Sequence, residues 1–407
     1  MGLFLHFGLY AIEGWHEQDQ MRRSIPRKDY AKLMDRFNPA DFDPEEILDL
    51  AESVGMEYLC LTTKHHDGFC LWDTELTDFK VTNSPYGKDL LADLAASCHK
   101  RNFPLGLYYS VVDWRHPSYP NQGRHHELAG PEEGDVEDWG VYMDFLKGQV
   151  RELCFNYGEI RHFFWDMNVP EHSDPTVNEM IRSLQPRVVI NNRGFDDGDF
   201  GTPERDYNQD EIGTRKFFAH PTEACNSVGS QSWGFRKDEG YYSSAYLING
   251  IDEVMAKGGN YLLNVGPDAM GKIPPLAKDI LADIGNWYGK VREAFSDTEP
   301  CTGLCGEHRL TRKGSTIYVH LPNPAISDSI NLRPISVLPK RATLLNTGER
   351  LSFSDDVLPC FWRKQAKFLS VNGLPRDRVN GGENLIIRLE FDRLPEAENI
   401  EVEAFKG

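Results

Sequence analysis

The strongest constraint on this fold is an alternation. Over residues 1–297 short apolar runs take turns with longer stretches of helical period. An apolar run without polar alternation belongs to a strand covered on both faces, and a helix between two such strands is how parallel strands are joined. Strands are predicted at 3–7, 58–62, 104–110, 160–166, 188–191 and 261–265, with helices over 44–54, 88–101, 136–155, 175–184, 243–257 and 276–295. Local punctuation agrees. Asp43-Pro44-Glu45-Glu46 places a capping residue before Pro at the first helical position, and Gly55 and Gly158 suit the left-handed position that closes a helix. Six strands are two short of eight, so either the polar, glycine-rich stretch 196–240 hides two or the barrel is irregular. The pattern predicts an α/β fold, a (β/α)8-like (TIM-type) barrel. No Gly-x-Gly-x-x-Gly follows the first strand, which removes the dinucleotide-binding reading.

The pattern changes near Cys301. Short strands at 316–320, 342–345, 367–371, 384–389 and 400–403 are separated by turn signals such as Asn346-Thr347-Gly348 and Asn380-Gly381-Gly382. This predicts a C-terminal antiparallel β-sandwich. The expected division is a catalytic β/α barrel at 1–297 and a sandwich domain at 298–407.

Composition excludes several partners. The net charge is −19 across 407 residues, and only Met21-Arg22-Arg23 approaches a basic cluster, so no nucleic acid partner is expected. The cysteines at 60, 70, 98, 154, 225, 301, 305 and 360 show no paired Cys-x-x-Cys spacing and read as scattered buried thiols of a reducing compartment. No apolar run reaches the ~18 residues of a membrane span. Met1-Gly2-Leu3-Phe4-Leu5-His6-Phe7-Gly8 turns polar too quickly for a signal peptide. No membrane partner and a cytoplasmic location are the expectations.

In a β/α barrel the chemistry sits where strands end and the following loops begin. Polar residues end five predicted strands here: His6; Lys64-His65-His66-Asp67; Tyr108-Tyr109-Ser110, with Asp113-Trp114 beyond; Asp166; and Asn191-Asn192-Arg193. Asp166 is the sharpest candidate, a carboxylate directly after Phe163-Phe164-Trp165, where an apolar wall and cationic neighbours can tune it. His65-His66 admits a zinc reading, with His6 and Asp166 able to complete a ligand set. Glycoside hydrolysis instead needs two carboxyl groups flanking one anomeric carbon. Glu204 and Glu223 are the candidates for the second, and position alone does not choose between them. Asp196, Asp197 and Asp199 read as turn residues. Trp15, Trp72, Trp114, Trp165 and Trp233 fall near the polar strand ends and could stack on the apolar faces of a sugar.

At these motifs the sequence resembles the α-L-fucosidases of glycoside hydrolase family 29. The matching segments are Phe4-Leu5-His6-Phe7-Gly8-Leu9-Tyr10, Thr63-Lys64-His65-His66-Asp67-Gly68-Phe69-Cys70-Leu71-Trp72, Gly106-Leu107-Tyr108-Tyr109-Ser110, Phe163-Phe164-Trp165-Asp166, Asn191-Asn192-Arg193-Gly194, Ser232-Trp233-Gly234-Phe235 and the run from Gly258-Gly259-Asn260 to Asn264-Val265-Gly266-Pro267. The resemblance implies a retaining exo-α-L-fucosidase that needs no metal or other cofactor and acts on fucosylated oligosaccharides or glycoconjugates. It implies Asp166 as nucleophile and Glu223, ten residues before Trp233, as general acid/base. It further implies His6, Glu17, His65, His66, Tyr108, Arg193 and Trp233 as sugar contacts. The chain departs from the family at Met167, where glycine usually follows the nucleophile, at Gln18, where tryptophan is frequent, and at Phe7, where tryptophan is usual. The rivals are an α-L-galactosidase, or another glycosidase for a fucose-like ring, and a catalytically silent fucose-binding protein.

Overall fold

In a computed structural model, which describes residues 1–205, 217–301, 304, 308–322, 327–332, 335, 337–358, 367–375, 377 and 382–396, the chain divides into two compact units. The first comprises Met1–Asp206, His220–Tyr242 and Tyr261–Ala282; the second comprises Tyr207–Ala219, Ser243–Asn260 and Asp283–Gly407. The predicted strand at 400–403, Asn380 and Gly381 of the predicted turn, and Cys305 and Cys360 lie outside the described residues. Among the described residues no helix is long and apolar enough to cross a membrane.

The first unit is organised by seven strands: β1 (Gly2–Leu5), β2 (Leu59–Lys64), β3 (Leu105–Ser110), β4 (His162–Asp166), β5 (Val189–Ile190), β6 (Glu223–Ser227) and β7 (Asn260–Val265). They lie in the order β5-β4-β3-β2-β1-β7-β6. From β5 through to the β1–β7 pair every neighbouring pair is parallel. Every residue of β1, β2, β3 and β4 is buried, as strands covered on both faces require, and so is every residue of the polar β6. The missing member is a short extended segment. Asn191 bridges Phe200, Gly201 bridges Thr222 and Glu204 bridges Cys225, all parallel, so residues 200–204 run between the end of β5 and β6.

Helix ends follow the sequence closely. The helix Pro44–Val54 starts where the Asp43 side chain accepts bonds from the Glu45 and Glu46 amides, and stops at Gly55 with φ 83°. Such a cap contributes about 1 kcal/mol. Asp89, Asp138 and Asp174 cap Leu90–Arg101, Trp139–Asn156 and Pro175–Leu184 in the same way. In β2 the register slips between Thr62 and Lys64, one extra residue against β3. That bulge re-aims the chain just before His65-His66.

In the second unit an antiparallel sheet runs in the order β11-β14-β13-β12-β15-β10-β9-β8. Its strands are β8 (Glu299–Pro300), β9 (Arg309–Lys313), β10 (Thr316–Leu321), β11 (Ser329–Leu332), β12 (Arg341–Leu344), β13 (Arg350–Val357), β14 (Lys367–Asn372) and β15 (Leu385–Glu390). Alternate residues such as Ile317, Val319, Ile387 and Leu389 form its core. A buried ion pair joins the helix Ser244–Ala256 to this sheet: His320 Nδ1 lies 2.6 Å from Asp252 Oδ1.

Candidate active site

The parallel strands present alternate side chains to the interior, so one strand contributes to several levels. On β4, His162, Phe164 and Asp166 point inward while Trp165 points out, its indole N–H donating to Asn178 at 2.9 Å. On β3, Tyr108 points in and Tyr109 donates outward to Gln149. The middle level is apolar: Phe4, Cys60, Tyr108, Phe164, Cys225 and Leu262 pack as one cluster, with Tyr58 and Trp233 against it.

Toward the starts of the strands the interior is closed by three polar groups. Tyr58 donates to Glu223 at 2.5 Å, and His162 Nε2 lies 3.0 Å from the other Glu223 oxygen. Glycine makes the room, since a Cβ on Gly2 would lie 2.4 Å from the Tyr58 ring and one on Gly106 2.6 Å from His162 Nδ1. Burial alone would raise the Glu223 pKa, but His162 and the Tyr58 hydrogen bond outweigh it and hold the carboxyl below its ordinary value.

At the opposite ends of the strands the interior opens into a cavity of about 800 Å³. It is lined by His6, Glu17, His65, His66 and Tyr108 together with Asp166, Arg193, Glu204 and Trp233. Tyr108 donates to Asp166 Oδ2 at 2.7 Å, Arg193 Nη1 donates to Asp166 Oδ1 at 3.2 Å, and His66 Nε2 lies 3.9 Å from Asp166 Oδ2. The same Arg193 nitrogen also donates to the Glu204 carboxylate. Burial pushes the Asp166 pKa up against the opposing pull of Arg193 and Tyr108. The imidazoles are neutral at pH 7. Burial lowers the His6 pKa to about 4 and takes His65 and His66 well below the usual value.

Each group is held from behind. His6 Nδ1 lies 2.7 Å from Asn264 Oδ1, and His66 Nδ1 lies 2.6 Å from the Ser110 hydroxyl. Glu17, buried, accepts from the Ser232 hydroxyl at 2.7 Å and the Trp233 amide at 2.9 Å. The Trp233 ring stacks on His6, centroids 5.2 Å apart, and the Arg205 guanidinium sits 4.6 Å from its centre. His65 Nδ1, by contrast, is buried without a protein partner.

The structure thus gathers every sugar-contact residue expected from the sequence together with Asp166, and separates the two candidate glutamates. Glu204 is in the cavity; Glu223 begins β6 at the far end of the interior and does not line it. Of the five tryptophans singled out, Trp233 lines the cavity, whereas Trp72 turns away to donate to Glu152 and Trp114 to the His126 carbonyl. Gln18, where tryptophan is frequent, bonds His126 instead at 2.7 Å. Met167 takes φ 59°, the left-handed conformation glycine would adopt freely. No group of three or more His, Cys, Asp or Glu among the described residues is arranged to hold a metal ion. Sequence reasoning missed His126, Asn168 and His172, which reach the cavity from loops and follow no strand pattern.

These features coincide with a known family. A model of the α-L-fucosidase family matches residues 1–293. The chain belongs to the α-L-fucosidase family. Human tissue α-L-fucosidase is 26% identical over 422 residues, covering 93% of this chain and 84% of that protein. Among solved structures, α-L-fucosidase isoenzyme 1 from Paenibacillus thiaminolyticus superposes with a TM-score of 0.83 at 31% identity, covering 98% of this chain and 96% of its own. A family 29 α-L-fucosidase from Bacteroides thetaiotaomicron, trapped as a covalent intermediate with 2-fluoro-fucosyl fluoride, gives 0.79 at 26% identity, covering 96% and 93%. The chain is accordingly a family 29 glycoside hydrolase in fold and lineage, a parallel β/α unit followed by an antiparallel β module.

Proposed function

We propose that this glycosidase releases terminal α-L-fucose from fucosylated oligosaccharides or glycoconjugates with retention of configuration, Asp166 acting as nucleophile and Glu204 as general acid/base. The supporting observation is the guanidinium that contacts both: Arg193 Nη1 donates to Asp166 and to Glu204. Two oxygens on one nitrogen lie no more than about 6 Å apart, two hydrogen-bond lengths. So short a separation favours the ~5–5.5 Å spacing of retaining carboxyl pairs over the wider spacing of inverting ones. Glu223, carried over from the family pattern as acid/base, is replaced in this role because its oxygens are engaged by Tyr58 and His162 outside the cavity.

In the first step Asp166 attacks the anomeric carbon as protonated Glu204 gives its proton to the departing oxygen, forming a fucosyl ester. In the second, Glu204 takes a proton from water, which attacks the same carbon and frees Asp166. Arg193 and Tyr108 favour the ionised form of Asp166, opposing its burial. Neutral His6, His65 and His66 hold the ring hydroxyls, with Trp233 and Glu17 completing the wall. The apolar floor of Phe4, Phe164 and Cys225 suits the C5 methyl of fucose and favours it over the hydroxymethyl of L-galactose. The proposed architecture is a (β/α)8-like barrel, residues 200–204 serving as its irregular eighth strand, followed by a β-sandwich; the compact units assign 243–260 and 283–297 to the second unit, which the boundary at 297 expected from the sequence does not. Assay of aryl α-L-fucoside against aryl α-L-galactoside tests the reading: fucoside turnover with a retained α-fucose first product is expected. Turnover of neither, or of the galactoside preferentially, would overturn it.

A further inference from the structure

Six carboxylates line the cavity against one guanidinium: Glu17, Asp166, Glu171, Asp196, Asp197 and Glu204 against Arg193. Four of the imidazoles on the cavity add little positive charge, because burial takes His6 and His126 to about 4 and His65 and His66 well below their usual value. Arg193 is already committed to Asp166 and Glu204. Glu171, Asp196 and Asp197 lie apart from the sugar-holding end, on the turns that follow β4 and β5. Glu171 and Asp197 are exposed, and none of the three is paired with a lysine or arginine among the described residues. Asp196 is fixed as an acceptor by Asn178 and the Gly198 amide. All three line the same cavity as Asp166 and Glu204.

We propose that this outer part of the cavity selects the aglycone by charge, admitting neutral and amine-bearing groups and excluding anionic ones such as carboxylated, sulfated or sialylated sugars. The inference rests on the fucosidase reading and deepens it. At about 10 Å through water each unit charge alters an interaction roughly twofold, so three carboxylates together give on the order of tenfold, and a cleft focuses the field further. The effect must fade with salt, since the Debye length falls from about 30 Å at 0.01 M to about 3 Å at 1 M.

The test uses three aryl α-L-fucosides of matched leaving-group acidity, bearing a trimethylammonium, no charge, or a carboxylate. We expect kcat/KM to fall in that order, with a step of up to about tenfold between successive substrates at low salt that collapses near 1 M. The Glu171→Gln/Asp197→Asn double variant should narrow the low-salt spread by several-fold. Equal rates for all three, an order insensitive to salt, or an unchanged spread in the double variant would overturn charge selection while leaving the fucosidase reading intact. Absence of turnover with all three would overturn that reading and this proposal together.

Discussion

The two ends of the parallel strands hold carboxylates in opposite circumstances. Glu223, where the strands begin, is buried with both oxygens bonded, by Tyr58 and His162, and closes the interior. Asp166 and Glu204, where the strands end, share one arginine across an open cavity beside an imidazole nitrogen with nothing to bond. Glu223 is shut away from the cavity, whereas Asp166, though buried and bonded through both oxygens, lines it together with the exposed Glu204. Strand direction alone places the three acids at these two ends.

The comparison can be broken most forcefully at Asp166. Asp166→Asn should lower kcat on an aryl α-L-fucoside by on the order of 10⁴-fold, with the thermal midpoint little changed; near-normal turnover would remove the nucleophile from the upper end. Glu204→Gln should cost about 10²–10⁴-fold on a natural fucoside. Glu223→Gln should do the reverse, leaving kcat within a few-fold while destabilising the fold by about 3–5 kcal/mol, the cost of breaking a buried pair. Its sign with pH follows from the depressed pKa of Glu223. Stability from the charged form is present above the ordinary glutamate value of 4.5 and lost as pH falls through the lower folded value. Denaturant titrations should therefore show a wild-type advantage at pH 7 that shrinks below about 4.5; a gap independent of pH would contradict the pairing. The smallest effect is at Met167, whose φ of 59° costs on the order of 1 kcal/mol. Met167→Gly should shift the unfolding free energy by no more than that, and a loss of several kcal/mol would show that the side chain, not the backbone, matters there.

Much of the upper end was legible in the sequence because apolar strands announce their own ends. His6, Tyr108 and Asp166 fall where Leu3-Phe4-Leu5, Leu105-Gly106-Leu107 and Phe163-Phe164-Trp165 stop or come inward. β6 was not legible. Glu223-Ala224-Cys225-Asn226-Ser227 carries no apolar run, and its first residue is a carboxylate paired with His162 of β4 and with Tyr58, just before β2. Without that strand, nothing said that Glu223 starts an element while Asp166 ends one, and spacing from Trp233 favoured the wrong glutamate for the cavity. Residues 200–204 escaped for a related reason: single bridges to Asn191, Thr222 and Cys225 place them, not periodicity. In the antiparallel unit, β10, β12, β14 and β15 carry short apolar runs between turn signals, whereas β8 is two residues long and β13 is largely polar, so neither reads as a strand.

The assignment of Glu204 rather than Glu223 as the proton donor is tested most directly by leaving-group dependence. kcat/KM would be measured for Glu204→Gln and Glu223→Gln over aryl α-L-fucosides whose phenols span a wide range of acidity, with and without azide. The account predicts that Glu204→Gln becomes steeply dependent on leaving-group acidity, nearly active on the most acidic phenols, and yields fucosyl azide of retained configuration, while Glu223→Gln keeps the shallow wild-type slope. A steep slope and azide adduct in Glu223→Gln, with Glu204→Gln behaving as wild type, would contradict it.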